Sequence, residues 1–215
     1  MRKIIVICLL FVITLSHFEN LEVLASSVNK KIIVIDAGHG GWDPGKVGQN
    51  NELEKEINLA IAEKLQIYLE LGGAVVFLTR ADDTALADKK NADLTARCIM
   101  PSDMQADIFI SIHQNAFPSE KVKGAQVFYY EGSQESQRLA ENIQDNLETF
   151  LDNGSKKQAA ANKSYFLLKE TKTPAIIVEC GFLTNIEEAK LLCSGIYQEK
   201  IAWGIYLGVL EHFRI

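Results

Sequence analysis

Three unbroken apolar runs, each ending at a side chain able to bind a metal or carry a proton, restrict this chain to a narrow set of folds. They are Lys31-Ile32-Ile33-Val34-Ile35-Asp36, followed by Ala37-Gly38-His39-Gly40-Gly41; Ile108-Phe109-Ile110-Ser111-Ile112-His113; and Ala175-Ile176-Ile177-Val178-Glu179. Continuous runs rich in Ile and Val belong to strands buried on both faces. In an open α/β sheet the crevice for ligands lies beyond the carboxyl ends of such strands. His39, His113 and Glu179 should therefore meet at one rim despite their separation in sequence. Two imidazoles and a carboxylate in one crevice point to metal-assisted hydrolysis.

Helix and strand patterns alternate along the chain. Glu54 to Leu71 carries Ile57, Ile61, Leu65 and Leu69 at helical spacing, and Gly72-Gly73 stops it. Ala74 to Leu78 reads as a strand, and Asp93 to Met100 as a helix ended by Pro101. Ala125 to Tyr130 is another strand and Gln134 to Leu151 another helix. The polar segment Asp152 to Lys163 is expected to be an exposed connection with a short helix through Ala159 to Ala161. Tyr165 to Leu168 and Ala175 to Glu179 are expected as the last strands, before a closing amphipathic helix over Gln198 to Phe213. The alternation predicts a single-domain α/β sandwich with a mainly parallel sheet of about six strands flanked by helices.

The start of the chain has a different character. Met1-Arg2-Lys3 precedes Ile4 to Leu15, an apolar stretch broken only by Thr14. Such a stretch is short for a membrane span and fits a secretory signal. Val23-Leu24-Ala25 suits a signal peptidase, which predicts a signal peptide over residues 1–25 and a catalytic domain over 26–215. An uncleaved N-terminal anchor is the rival reading. Either one puts the body of the protein outside the cytoplasm, secreted or in the cell envelope. Loss of residues 1–25 removes Arg2, Lys3, Glu19 and Glu22, so the net charge of −6 is unchanged. That balance argues against nucleic acid as a partner, because phosphate binding needs clustered cations and none appear. Cys98, Cys180 and Cys193 are odd in number and show no C-x-x-C spacing, which supports neither a disulfide framework nor a thiolate zinc site. All three are expected to be buried structural thiols, Cys180 on the opposite face from Glu179.

Of the four histidines, His17 precedes Ala25 and His212 lies in the apolar closing helix. A site with three protein ligands built on His39 and His113 therefore needs a carboxylate, an arrangement known for catalytic zinc. Glu52, Glu54 and Glu56 lie between the histidines. Helical spacing puts Glu54 on the core stripe with Ile57, Ile61 and Leu65, and Glu56 about 200° away on the solvent side. An inward carboxylate needs a partner, because an unpaired buried charge is costly. Ordinary explanations compete at each position. A glutamate in a first helical turn favours the helix dipole, a histidine ending a strand can be a satisfied core residue, and Gly38, Gly40 and Gly41 can form a plain turn. Their joint placement at one rim favours the metal site. Glu179 is then free to carry protons, and Gly181 should let a substrate approach the backbone.

Four ordered blocks carry a family resemblance: Ile35-Asp36-Ala37-Gly38-His39-Gly40-Gly41, Glu54-Lys55-Glu56-Ile57-Asn58-Leu59-Ala60, Ser111-Ile112-His113-Gln114-Asn115-Ala116 and Val178-Glu179-Cys180-Gly181-Phe182-Leu183-Thr184-Asn185. They resemble the zinc-dependent N-acetylmuramoyl-L-alanine amidases over nearly all of Lys31 to Phe213. The resemblance implies one zinc ion held by His39, Glu54 and His113, with Glu179 as the catalytic carboxylate. The implied substrate is peptidoglycan, cut between muramic acid and the L-alanine of the stem peptide. Ala37 departs from the usual proline, Gln114 from a small or aliphatic residue, and Pro101 to Gln105 from the usual connection before the third strand; none is a ligand. Lys123-Gly124-Ala125-Gln126-Val127-Phe128-Tyr129-Tyr130 is most similar to the germination-specific amidases of spore formers. That subgroup implies a role in forming muramic-δ-lactam in spore cortex, action in the forespore intermembrane space, and dependence on an accessory envelope protein. Asp36 and Asn115 are candidates to orient ligands from behind. A zinc peptidase or deacetylase acting on another acyl bond of the wall, and a wall-binding scaffold without catalysis, are the alternatives.

Overall fold

In the computed structural model, which describes residues 27–151 and 156–214, twelve elements follow in order. They are β1 (Ile32–Ala37), α1 (Glu54–Leu71), β2 (Val75–Leu78), α2 (Lys90–Asp103), β3 (Ile108–Asn115), β4 (Gln126–Tyr130), α3 (Gln134–Leu151), β5 (Ala160–Asn162), α4 (Phe166–Glu170), β6 (Ala175–Phe182), α5 (Ile186–Leu192) and α6 (Gly195–Phe213). The six strands form one sheet in the order β2-β1-β3-β6-β4-β5. β2, β1, β3 and β6 run parallel, β4 is antiparallel to β6, and β5 is parallel to β4. The expected α/β sandwich with a mainly parallel sheet is what forms.

Alternation along each strand divides the core in two. Ile33 and Ile35 of β1, Ile108, Ile110 and Ile112 of β3, and Ile176 and Val178 of β6 pack with α1, α3 and α6. Val34, Phe109, Ala175 and Ile177 face the other way, toward Cys98 of α2 and Leu167 and Leu168 of α4. Ser111, His113 and Glu179 continue the second set by period-2 register. Among the described residues, two helices, one of them very short, cover that face, and its carboxyl end stays open as a crevice. The chain leaves β1 for β2 on one side, then returns to β3 on the other. Ligand crevices of open α/β sheets form at such reversals, and His39 follows β1 while His113 lies in β3.

Several local expectations change. Pro101 does not end α2, which runs to Asp103 with Pro101 buried in its last turn. A proline so near the end forfeits one intrahelical bond, and Ala106 N–H closes the turn onto the Pro101 carbonyl at 2.8 Å. Tyr165 to Leu168 is not a strand: Phe166–Glu170 is helical. The Asn162 side chain accepts from the N–H groups of Ser164 (2.7 Å) and Tyr165 (2.9 Å), a turn that aims the chain into α4. Ala159 to Ala161 is not helical; Ala160–Asn162 is an edge strand paired with Phe128 to Tyr130. Helix α5 has no counterpart in the sequence expectations. Cys98 and Cys180 are buried as expected, but Cys193 is exposed, because it caps the outer end of α5. The expected signal peptide lies outside the described residues. Among those residues, no helix is long and apolar enough to cross a membrane.

Candidate metal centre

The loop after β1 is held by its own carbonyl oxygens. Arg80 Nε (2.8 Å) and Arg97 Nη1 (3.0 Å) donate to the Ala37 carbonyl. Arg80 Nη2 and Asn58 Nδ2 both reach the Gly38 carbonyl at 3.1 Å, and Arg97 Nη2 reaches that of His39 at 2.8 Å. Both guanidinium groups are buried. This clamp keeps His39 in the left-handed region, at φ 63°, a conformation that costs a non-glycine residue roughly 1 kcal/mol. Gly38 must be glycine, because a Cβ there would lie 2.3 Å from Cε1 of the His113 ring.

His39, Glu54 and His113 offer ligand atoms that all lie within 4.8 Å of one another. Glu54 Oε1 is 3.2 Å from His39 Nε2 and 2.9 Å from His113 Nδ1. The Glu54 carboxylate also accepts from the backbone N–H groups of Lys46 (2.7 Å) and Gln114 (3.0 Å). Glu54 is buried and Glu56 exposed, as helical spacing requires. Burial opposes the charge on Glu54, yet the hydrogen bonds and charges of His113 and His39 hold its carboxyl well below the usual range. Burial likewise opposes charge on His113, but Glu54 dominates and carries the imidazole up to about 9. A cluster that draws positive charge this strongly, built from two nitrogens and one carboxylate oxygen, fits a divalent ion of the borderline class.

Glu179 sits on β6 directly opposite His113 in the parallel register. It is buried, and among the described residues its Oε2 has no hydrogen-bond partner. Burial pushes its pKa up to about 7, assisted by the charge of Glu54 and opposed by His113 and His39. An unpartnered carboxylate oxygen with a near-neutral pKa is suited to taking and returning a proton.

The surrounding residues divide the sequence expectations. Among the described residues, Asp36 makes no hydrogen bond to either histidine. It accepts from Arg97 Nη1 (2.6 Å), Ser111 Oγ (2.6 Å) and Thr79 Oγ1 (2.7 Å), and so braces the clamp. Asn115 caps its own turn, accepting from Ala116 N–H at 2.8 Å. Gly181 gives room to a protein side chain, since a Cβ there would lie 2.9 Å from Cδ of Glu188. That carboxylate accepts from the N–H groups of Gly124 and Phe182, both at 2.8 Å. Sequence reasoning missed Asp43, whose Oδ2 lies 2.8 Å from His39 Nδ1, together with Asn58, Arg80 and Arg97. Asn58 was within reach of the helical pattern, one turn after Glu54 on the same stripe.

Residues 33–211 match the family described as N-acetylmuramoyl-L-alanine amidase. The germination-specific N-acetylmuramoyl-L-alanine amidase of Bacillus subtilis is 38% identical, over 97% of this chain and 91% of that protein. The amidase LytC of the same organism is 35% identical over 89% of this chain and 37% of its own length. Among solved structures, the CwlD amidase from Clostridioides difficile, in complex with the GerS lipoprotein, superposes with a TM-score of 0.81 at 40% identity. That likeness covers 85% of this chain and 98% of that one.

Proposed function

The chain belongs to the N-acetylmuramoyl-L-alanine amidase family, and from that premise we propose how its rim residues divide the work. It is a peptidoglycan hydrolase that cleaves the amide between N-acetylmuramic acid and L-alanine. One zinc ion would be held by His39, Glu54 and His113. When bound, zinc supplies a Lewis acid for the scissile carbonyl and acidifies water at the open position. Glu179 Oε2 takes the proton of the attacking water and delivers it to the alanine nitrogen as the C–N bond breaks. Asp43 holds a proton on His39 Nδ1 and leaves Nε2 free to bind metal. Glu54, fixed by two backbone N–H groups, keeps both imidazoles converging without searching rotamers.

The orphaned Glu179 oxygen beside the three-ligand cluster supports this reading most directly. Glu179→Gln tests it. The variant should retain stoichiometric zinc by elemental analysis and release no L-alanine N-termini from purified peptidoglycan. Turnover within a few fold of the unmodified protein would remove Glu179 from the proton path.

The substrate in the cell is proposed to be spore cortex, acted on outside the cytoplasm, on the strength of the near full-length likeness to the germination-specific enzyme. A lipoprotein partner is proposed on the likeness to an amidase solved in complex with one. Muropeptide profiles of spores lacking this protein should show cortex muramic acid with its peptides intact and no muramic-δ-lactam.

A further inference from the structure

A groove of about 460 Å³ opens between the loop carrying Lys46, Val47 and Gln49 and the loop carrying Phe117 and Glu120. Lys46 links the groove to the ligand cluster, since its backbone N–H donates to Glu54 Oε2 at 2.7 Å. Its two walls are tied where Gln49 Nε2 donates to Glu120 Oε1 at 2.8 Å. Phe117 and Val47 are exposed apolar side chains along it, and Leu183 lines it as well. Lys46 is exposed, and among the described residues it pairs with no carboxylate.

We propose that this groove binds the leaving stem peptide and that Lys46 recognises the free α-carboxylate of its second residue. The inference rests on the amidase reading and adds a subsite to it. With the scissile bond at the metal cluster, an extended peptide places its second residue about 7 Å away. The Lys46 backbone already touches Glu54, so its flexible four-carbon stem covers that separation. Val47, Phe117 and Leu183 suit the aliphatic parts of the peptide, Glu120 is held by Gln49 in the opposite wall, and a sugar would leave the lysine charge unanswered. Trp42, exposed and lining a separate small cavity with His39 and His113, is the competing surface.

The test compares two muramyl tripeptides, identical except that the α-carboxyl of the second residue is free in one and amidated in the other. The full chain loaded with zinc should prefer the free acid by about tenfold in kcat/KM, the scale of one charge-assisted hydrogen bond. In Lys46→Met the ratio should fall to about one, and in Lys46→Arg the preference should persist. Each ratio is internal to one preparation, so partial misfolding does not move it. Calorimetric binding of the two free tripeptides gives the same ratio without turnover. A ratio near one in the unmodified protein, or an unchanged preference in Lys46→Met, would overturn the subsite. Failure of the unmodified protein to cut either substrate would instead overturn the amidase reading, and the subsite with it.

Discussion

Each of the four rim side chains ends or begins a regular pattern, which is why their convergence is legible in the sequence. His39 follows a buried strand, His113 and Glu179 terminate apolar runs, and Glu54 opens a helical stripe. Asp43 follows no such period. It lies in an irregular loop, and only the fold of that loop turns its carboxylate to His39 Nδ1 at 2.8 Å. Arg80 and Arg97 are invisible for a related reason: most of their partners are backbone carbonyls, which no side-chain pattern records. In the proposed zinc site the contact made by Asp43 would fix the tautomer that leaves Nε2 facing the metal, and that leads to a prediction. Asp43→Ala should weaken zinc binding by about 10–100-fold, the usual effect of losing a partner behind a metal-binding histidine. Asp43→Asn should do no better, because its amide can donate to Nδ1 and move the imidazole proton onto the metal-facing nitrogen. Competition with a chromogenic chelator measures this without turnover, and affinity unchanged in both variants would refute it.

Among the elements, long periodic ones are legible and short ones are not. The helical stripe of α1 and the apolar run of β3 each specify both type and face. Tyr165 to Leu168, in contrast, is four residues of apolar character that suit a strand or a helix equally. The choice is made by the Asn162 turn and by burial of both Leu167 and Leu168. Edge strand β5 likewise exists only because β4 offers it free backbone groups. Where α6 crosses α3, sequence says little and geometry decides. A Cβ at Gly208 would come within 2.5 Å of Ile143 Cα, whereas one at Gly204 would meet the Leu147 Cδ2 methyl at 3.2 Å. Replacing a helical glycine by alanine gains up to about 1 kcal/mol of helix propensity. Forcing two backbones apart loses about 1–3 kcal/mol. Gly208→Ala should therefore lower stability in denaturant titrations, and Gly204→Ala should stay within about 1 kcal/mol of the unmodified protein because a methyl can turn aside. Equal losses at the two positions would mean that the crossing is not set by backbone contact at Gly208.

Taken as a whole, the molecule concentrates its chemistry at one reversal of the sheet and closes its opposite layer with α6. His212, near the end of that helix, is 6% exposed. Burial lowers its pKa to about 4, with Arg138 and Lys31 adding to the effect and Glu135 opposing it. Glu135 lies 3.9 Å from Nε2, too far to offset the loss of water from an otherwise enclosed ring. Unfolding returns the imidazole to the ordinary histidine value of about 6.5. Between these values the unfolded chain binds the extra proton, so stability is complete above pH ~6.5 and is lost as pH falls toward 4. The full effect of one such group is about 3 kcal/mol at most. Glu179 titrates in the opposite sense over part of this range, since a raised carboxylate pKa stabilises the fold at low pH and loses that contribution as pH rises through about 7. A single pH curve would therefore mix the two. Subtracting the stability profile of His212→Leu from that of the unmodified protein isolates the histidine, because both share the same rim. The difference should be level above pH ~6.5 and then fall steadily toward pH 4 against the unmodified protein. Parallel profiles through that window would show that acid sensitivity arises elsewhere than at the closing helix.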